Sequence, residues 1–239
     1  MSNSLPPISH EQISPDYLCK LIGADARVIL EIGAHHGWHT EWFLKIFPSA
    51  TIHAFEPDLR ALAKFKSNIV DPRVHLIEMA IGAKDGEAEF HVSSGLPDSI
   101  PPEARATFSK GWDQSGSIRN PKTVAMARQY PWLKFESTIT VMVRSLDSWA
   151  KENGIGAVDF IWADMQGAEG DLIRGGEATL ARTRYLYAEY SNEELYEGES
   201  SLEALLNMLP KFSVLKRYPG DVLLKNTCSP SRAKMGAGL

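Results

Sequence analysis

Cysteine is nearly absent from this chain: there are two among 239 residues, Cys19 and Cys228, far apart and in neither a metal-ligand nor a redox spacing. That excludes a disulfide framework and points to two reduced thiols of a cytoplasmic protein. Long apolar runs are lacking too. None approaches the roughly 20 residues that span a bilayer, because charge interrupts each candidate within a few positions, so no membrane insertion is expected. Excess positive charge is also missing. With 25 Lys and Arg against 30 Asp and Glu, the net charge of −5 supplies no field that draws the chain to nucleic acid or anionic lipid. The start, Met1-Ser2-Asn3-Ser4-Leu5-Pro6-Pro7, has neither the basic residues nor the apolar core of a secretory signal.

What the chain does have is 44% hydrophobic residues in short periodic segments, enough for one sizeable core. Val28 to Ile32 reads as a buried strand, Gly33 to Gly37 as a turn, and Thr40 to Ile46 as a helix. Thr51 to Phe55 and Val74 to Ile77 read as further strands, with a helix capped by Asp58 between them. Strand and helix alternate again from Leu146 to Tyr190, and Phe212 to Leu215 with Val222 to Leu224 make a terminal strand pair. This alternation predicts an α/β, Rossmann-like fold: a mostly parallel twisted sheet with helices on both faces. Residues 1–26 are expected as a polar segment and lead-in helix, 27–226 as the domain, and 227–239 as a flexible tail. Between the strands Glu87 to Val92 and Thr138 to Val143 lies an insert, 93–137, too long for an ordinary connection and expected to serve as a lid.

In such sheets ligands bind at the carboxyl ends of the strands, where the first strand-to-helix turn lines the crevice. Gly33 and Gly37 lie in that turn, but His35 and Trp38 stand where a dinucleotide fingerprint needs glycine to admit a pyrophosphate. Glu31, at the end of the strand, is unfavourable to an anion and attractive to a sulfonium or ammonium group. Glu56 follows Gly33 at the end of the second strand, where a carboxylate can accept hydrogen bonds from both hydroxyls of an adenosine ribose. Met79 and Ala80, after the third strand, are candidates for lining the adenine pocket, or for ordinary core packing.

Glu31-Ile32-Gly33-Ala34-His35-His36-Gly37, Phe55-Glu56-Pro57, Leu146-Asp147 and Asp164-Met165-Gln166-Gly167-Ala168-Glu169, in this order, resemble the FkbM-type methyltransferase family from about Val28 to Leu224. Asp113-Gln114-Ser115-Gly116-Ser117 is similar to the serine-rich loop of that family. The resemblance implies a class I methyltransferase fold and S-adenosylmethionine as cofactor. Glu31, Gly33, His35 and Gly37 would hold its methionine end, with Glu56 and Pro57 at the ribose. It also implies methyl transfer to a hydroxyl oxygen of a sugar, glycan or natural product. Glu31 and His35 stand where aspartate and asparagine are common in the family, and Gln166 stands where glutamate is common.

An alcohol acceptor must be positioned and must lose its proton. Asp164 ends the strand Val158 to Ala163, and Glu189 lies in the next strand; either can orient or deprotonate the acceptor. A divalent ion held between them is compatible with the pattern, and the sequence leaves it open. His35, His36 and His39 crowd one turn, but no third ligand with a recognisable spacing follows, so packing is the expected role. Trp112, Ser115 and Ser117, with Tyr130 and Trp132, either present aromatic and hydroxyl groups to a sugar or pack the insert down. The rival functions are an NAD-dependent oxidoreductase on the same sheet and a non-catalytic binding module on a methyltransferase scaffold. Acceptor identity and oligomeric state are not legible at this level.

Overall fold

Val28-Ile29-Leu30-Glu31-Ile32 is apolar on both sides of its pleat apart from Glu31, the pattern of a strand covered on both faces. The computed structural model describes residues 5–6, 8–9, 13–103, 105 and 111–228, and builds outward from that strand. In chain order come α1 (Pro15–Ile22), β1 (Val28–Ile32), α2 (Trp38–Ile46), β2 (Thr51–Phe55), α3 (Leu59–Asn68), β3 (Val74–Ile77), β4 (Ala80–Gly82), β5 (Gly86–Ser94) and α4 (Thr123–Gln129). There follow β6 (Lys134–Ser145), α5 (Leu146–Glu152), β7 (Val158–Ala163), α6 (Glu169–Gly175), α7 (Glu177–Ala181), β8 (Thr183–Glu189), α8 (Leu202–Met208), β9 (Phe212–Arg217) and β10 (Asp221–Asn226).

Seven strands form one sheet in the order β3-β2-β1-β7-β8-β10-β9. The first five run parallel, and β10 is antiparallel to both of its neighbours. This is the Rossmann-like α/β architecture the alternation predicts. The chain moves outward from β1 through β2 to β3, then returns to β7 on the other side of β1. Connections therefore diverge at the carboxyl ends of β1 and β7, and a crevice opens there.

Alternate residues of each strand serve different cores. Ile29, Ile52, Phe160, Trp162 and Leu223 pack under α1 and α2, while Leu30, Ile32, Ile161, Ala163 and Leu186 pack under α5 to α8. Phe65 brings α3 onto the first face beside Ala34 and Ala54. Helix starts are set by side-chain caps: Ser14, Asp58, Ser145 and Ser201 accept from main-chain N–H groups of α1, α3, α5 and α8. Each cap contributes about 1 kcal/mol.

A second sheet, in the order β4-β6-β5, carries the insert. β5 and β6 pair antiparallel from Gly86 opposite Val143 to Ser94 opposite Lys134, so the connection proper runs over 95–133, shorter than the 93–137 read from the sequence. Of its described part, Asp113, Ser117 and Met126 are buried, and bridges join Ser117 to His91 and Pro121 to Tyr196. This described part contains α4 and is tied to the rest of the fold at those bridges. Of the expected tail, 229–239 lie outside the described residues; Thr227 still bonds Lys211. Among the described residues no helix is long and apolar enough to cross a membrane.

Candidate active site

A cavity of about 760 Å³ occupies the carboxyl ends of β1, β2, β7 and β8, with the insert as its far wall. Of the residues singled out from the sequence, Gly33, His35, Glu56, Pro57, Met79, Ala80, Trp112, Ser115, Ser117, Asp164 and Glu189 line it. Glu31 and Gly37 do not.

Gly37 is glycine for a reason other than ligand approach. It is the left-handed N-cap of α2, φ 86°, and a Cβ there would stand 2.5 Å from Ile69 Cγ1. Its lack of a side chain lets α2 start against Phe65 and Ile69 at the end of α3, a packing reason for glycine that stands beside the expected cofactor role. Gly33, φ 87°, lies where β1 meets β7, and a Cβ would fall 1.9 Å from the Asp164 carbonyl oxygen. Asp147, part of the family-like pattern, also lies off the cavity and caps α7 through the N–H groups of Ala178 and Thr179.

Glu31 is fully buried behind the cavity wall. One oxygen accepts from the Thr40 hydroxyl, and Oε1 has no partner among the described residues. Burial raises its pKa to about 8 against the Thr40 bonds, and Glu56 and Asp164 add repulsion. Burial thus disfavours the negative charge expected of Glu31, and a cation bound nearby would favour it. Glu56 borders the cavity with both oxygens anchored: Oε2 accepts the His35 N–H at 2.8 Å, and Oε1 accepts the Asp58 N–H at 2.7 Å. Burial outweighs these bonds and takes its pKa to about 8. Each oxygen retains a second lone pair for a hydroxyl donor.

On the opposite wall Asp164 and Glu189 meet across Gln166, whose amide nitrogen donates to Asp164 Oδ1 at 2.8 Å and to Glu189 Oε2 at 3.0 Å. Burial, then the nearness of Asp164 and Glu169, raises the Glu189 pKa well above its ordinary value. Gln166 and Tyr196 are pocket residues to which the sequence assigned no role. The Tyr196 hydroxyl donates to the Ser115 carbonyl at 2.7 Å, and no local spacing announces a partner 81 residues away.

The three histidines separate. His39 lines the cavity and packs on Trp162, ring centroids 4.1 Å apart, and edge-on to Trp42. Burial lowers its pKa, leaving the imidazole neutral near pH 7. His35 and His36 stack at 3.5 Å and both reach Asp113 of the insert, at 3.0 and 2.9 Å. Asp113 is the third donor that spacing did not reveal, and the three ligand atoms lie within 4.8 Å. The rings, however, are only 22° from parallel, so their nitrogen lone pairs run side by side instead of converging, and the Lys64 ammonium already lies 3.1 Å from Asp113. Hydrogen bonding and one ion pair account for the cluster.

The residues fit S-adenosylmethionine better than a dinucleotide. Lysine and arginine are absent from the described cavity lining, whereas Glu56, Asp113, Asp164, Glu189 and Glu199 are all part of it. A diphosphate would find no cation there, while a sulfonium would find acids. The anchored Glu56 carboxyl is the acid on the cavity wall that such a ligand would engage, with the unpartnered Glu31 Oε1 adding to the acidic field from behind it.

The family described as Methyltransferase FkbM domain matches residues 31–217. The 2-O-methyltransferase NoeI of Sinorhizobium fredii (strain NBRC 101917 / NGR234) is 43% identical over 205 residues, covering 84% of this chain and 79% of that protein. Among solved structures, cofactor-bound Rv0187 from MTB aligns over 94% of this chain and 84% of its own, with 15% identity and a TM-score of 0.46. An rRNA methylase from Streptococcus thermophilus aligns over 90% and 98%, with 12% identity and a TM-score of 0.40.

Proposed function

The chain belongs to the FkbM methyltransferase family and is an S-adenosylmethionine-dependent O-methyltransferase; we propose that its acceptor is a ring hydroxyl of an uncharged sugar, glycan or similar small molecule. The observation that carries the acceptor reading is the cavity's wall chemistry: paired acids at Asp164 and Glu189, aromatic rings at Trp112, Trp132 and Tyr196, and no described lysine or arginine to meet an anionic acceptor. The 43% identical relative is named for methylating a 2-hydroxyl oxygen, which supports the same class.

Bound S-adenosylmethionine supplies a methyl group made electrophilic by its sulfonium. The chain's own residues then have three tasks. Glu56 would accept the ribose hydroxyls, and Met79 and Ala80 would hold the adenine, fixing the nucleoside end. The insert, through Trp112, Ser115 and Ser117, closes the far side and keeps water from competing as acceptor. Glu189 would hold the acceptor hydroxyl by a hydrogen bond, and Asp164 would take its proton as the oxygen bonds to the methyl carbon and the methyl–sulfur bond breaks, leaving S-adenosylhomocysteine. A divalent ion has no part in this reading. We place the protein in the cytoplasm, on its two reduced cysteines, with no nucleic-acid partner.

Two measurements test it. S-adenosylhomocysteine should raise the melting temperature and NAD should not; stabilisation by NAD alone would support the oxidoreductase. Incubation with S-adenosylmethionine and a panel of neutral alkyl glycosides should give a product heavier by one CH₂ in mass spectrometry. Asp164→Asn should abolish it while retaining S-adenosylhomocysteine binding, an outcome a non-catalytic module does not predict.

A further inference from the structure

Gln166 lies in the left-handed region, φ 51°, which a residue with a Cβ occupies only when its surroundings hold it there. Its carbonyl accepts the Ser117 hydroxyl at 2.8 Å, and Gly167 after it leaves space that a Cβ would fill, 2.9 Å from Tyr196 Cβ. Held this way, the amide points between the two acids. Nε2 gives one hydrogen to Asp164 and the other to Glu189, while Oε1 faces the Tyr196 hydroxyl at 3.4 Å. Reversed, the amide oxygen would face two carboxyl oxygens, so the partners themselves select this orientation.

Two carboxyl groups brought together in a half-buried site are stabilised by a shared proton, a bridging cation or a neutral group with two donors. We propose that Gln166 is a positioning residue that takes the place of a bridging cation, holding Asp164 and Glu189 side by side so that the pair works without a metal. The assignment of that pair to the acceptor rests on the O-methyltransferase reading; the clamp itself rests on the hydrogen bonds. It leaves Asp164 Oδ2 without a share in the amide, free to receive the acceptor's proton. It also explains what a glutamate at this position would do: three carboxylates around one point form an oxygen cage for a hard divalent ion. The other acids acting on Glu189 are Glu169 of α6, Asp221 of β10 and Glu199, and none of these bridges it to Asp164.

The test is thermal unfolding of the full chain with and without MnCl₂ at about 1 mM. The wild type should shift by less than about 1 °C, whereas Gln166→Glu should melt lower at alkaline pH and recover by about 3 °C or more with the ion. Gln166→Met, which removes both donors without adding a carboxyl, guards against failure of the first variant to fold. It should lose more stability than the wild type between about pH 5.5 and pH 8, and regain part of it with MnCl₂. A wild type stabilised by MnCl₂ as strongly as the variants, or variants indifferent to it, would overturn the proposal. S-adenosylhomocysteine is added to the same samples: failure to stabilise the wild type counts against the methyltransferase reading and leaves the clamp result standing. When an acceptor is in hand, wild-type methylation should survive EDTA and that of Gln166→Glu should depend on the added ion.

Discussion

Asp113 Oδ2 lies 2.9 Å from His36 Nε2, and this contact joins the insert to the first strand-to-helix turn across 77 residues of chain. The second carboxylate oxygen reaches His35, whose N–H is already held by Glu56, so the insert, the turn and the candidate ribose site form one hydrogen-bonded unit. Burial works to raise the Asp113 pKa, but the bonds to His35 and His36 hold it well below the usual carboxylate range.

Asp113→Asn should therefore loosen the far wall of the cavity. We expect a loss of about 1–3 kcal/mol in stability, the scale of a buried charge-assisted hydrogen bond, faster amide exchange over 111–118, and weaker binding of S-adenosylhomocysteine. Because the folded pKa is depressed, the contribution is complete above the unfolded value near 3.9 and disappears only as pH falls below it. Unchanged exchange in the variant would show that the contact is not what fixes the insert.

Glu31 makes the opposite prediction. Its folded pKa of about 8 lies above the ordinary value of 4.5, so its contribution is present at low pH and is lost as pH rises through that interval. Glu31→Gln, neutral throughout, should melt like the wild type near pH 5 and increasingly higher than it toward pH 8, by at most about 1.4 kcal/mol per pH unit. Parallel melting curves across the range would place the Glu31 pKa near its ordinary value.

Glu56→Ala should weaken S-adenosylhomocysteine binding by about 1–3 kcal/mol, the cost of leaving buried hydroxyl donors without their acceptor. It should also release the His35 and Asp58 N–H groups. Calorimetry reads this directly, and an unchanged affinity would remove Glu56 from the ribose site.

Gly33→Ala should cost about 3 kcal/mol or more, from a positive φ together with a forced shift of β1 against β7. The added methyl group would meet the Asp164 carbonyl, not a ligand. The variant should accordingly lose thermal stability even without cofactor. Normal stability with lost cofactor affinity would instead assign the glycine to ligand contact.

Much of this was legible locally. β1, β2, β3, β7 and β8 carry their own burial patterns, and Ser and Asp caps mark helix starts within one turn, so periodicity sufficed for the Rossmann-like sheet. Glu56, Asp164 and Glu189 were accessible because the ends of parallel strands are where such sheets bind ligands. α4, α7 and β4 were not read: α4 buries only Met126 and has no side-chain cap, while α7 and β4, of five and three residues, have too few positions to show a period.

The rest depended on distance along the chain. The order of strand ends determined that acids and a glycine turn would share a crevice, because chain connectivity alone puts them there. Which glycine lines the cavity and which packs beside a helix was decided by packing, as Gly33 in the wall and Gly37 against Ile69 show. Whether Glu31 carries charge was decided by burial, which no neighbouring residue in the sequence reports. The joining of Asp113 to the histidine pair, and of Gln166 to both acids, was decided only when segments tens of residues apart met, since a hydrogen bond depends on a few ångströms of space and not on spacing in sequence.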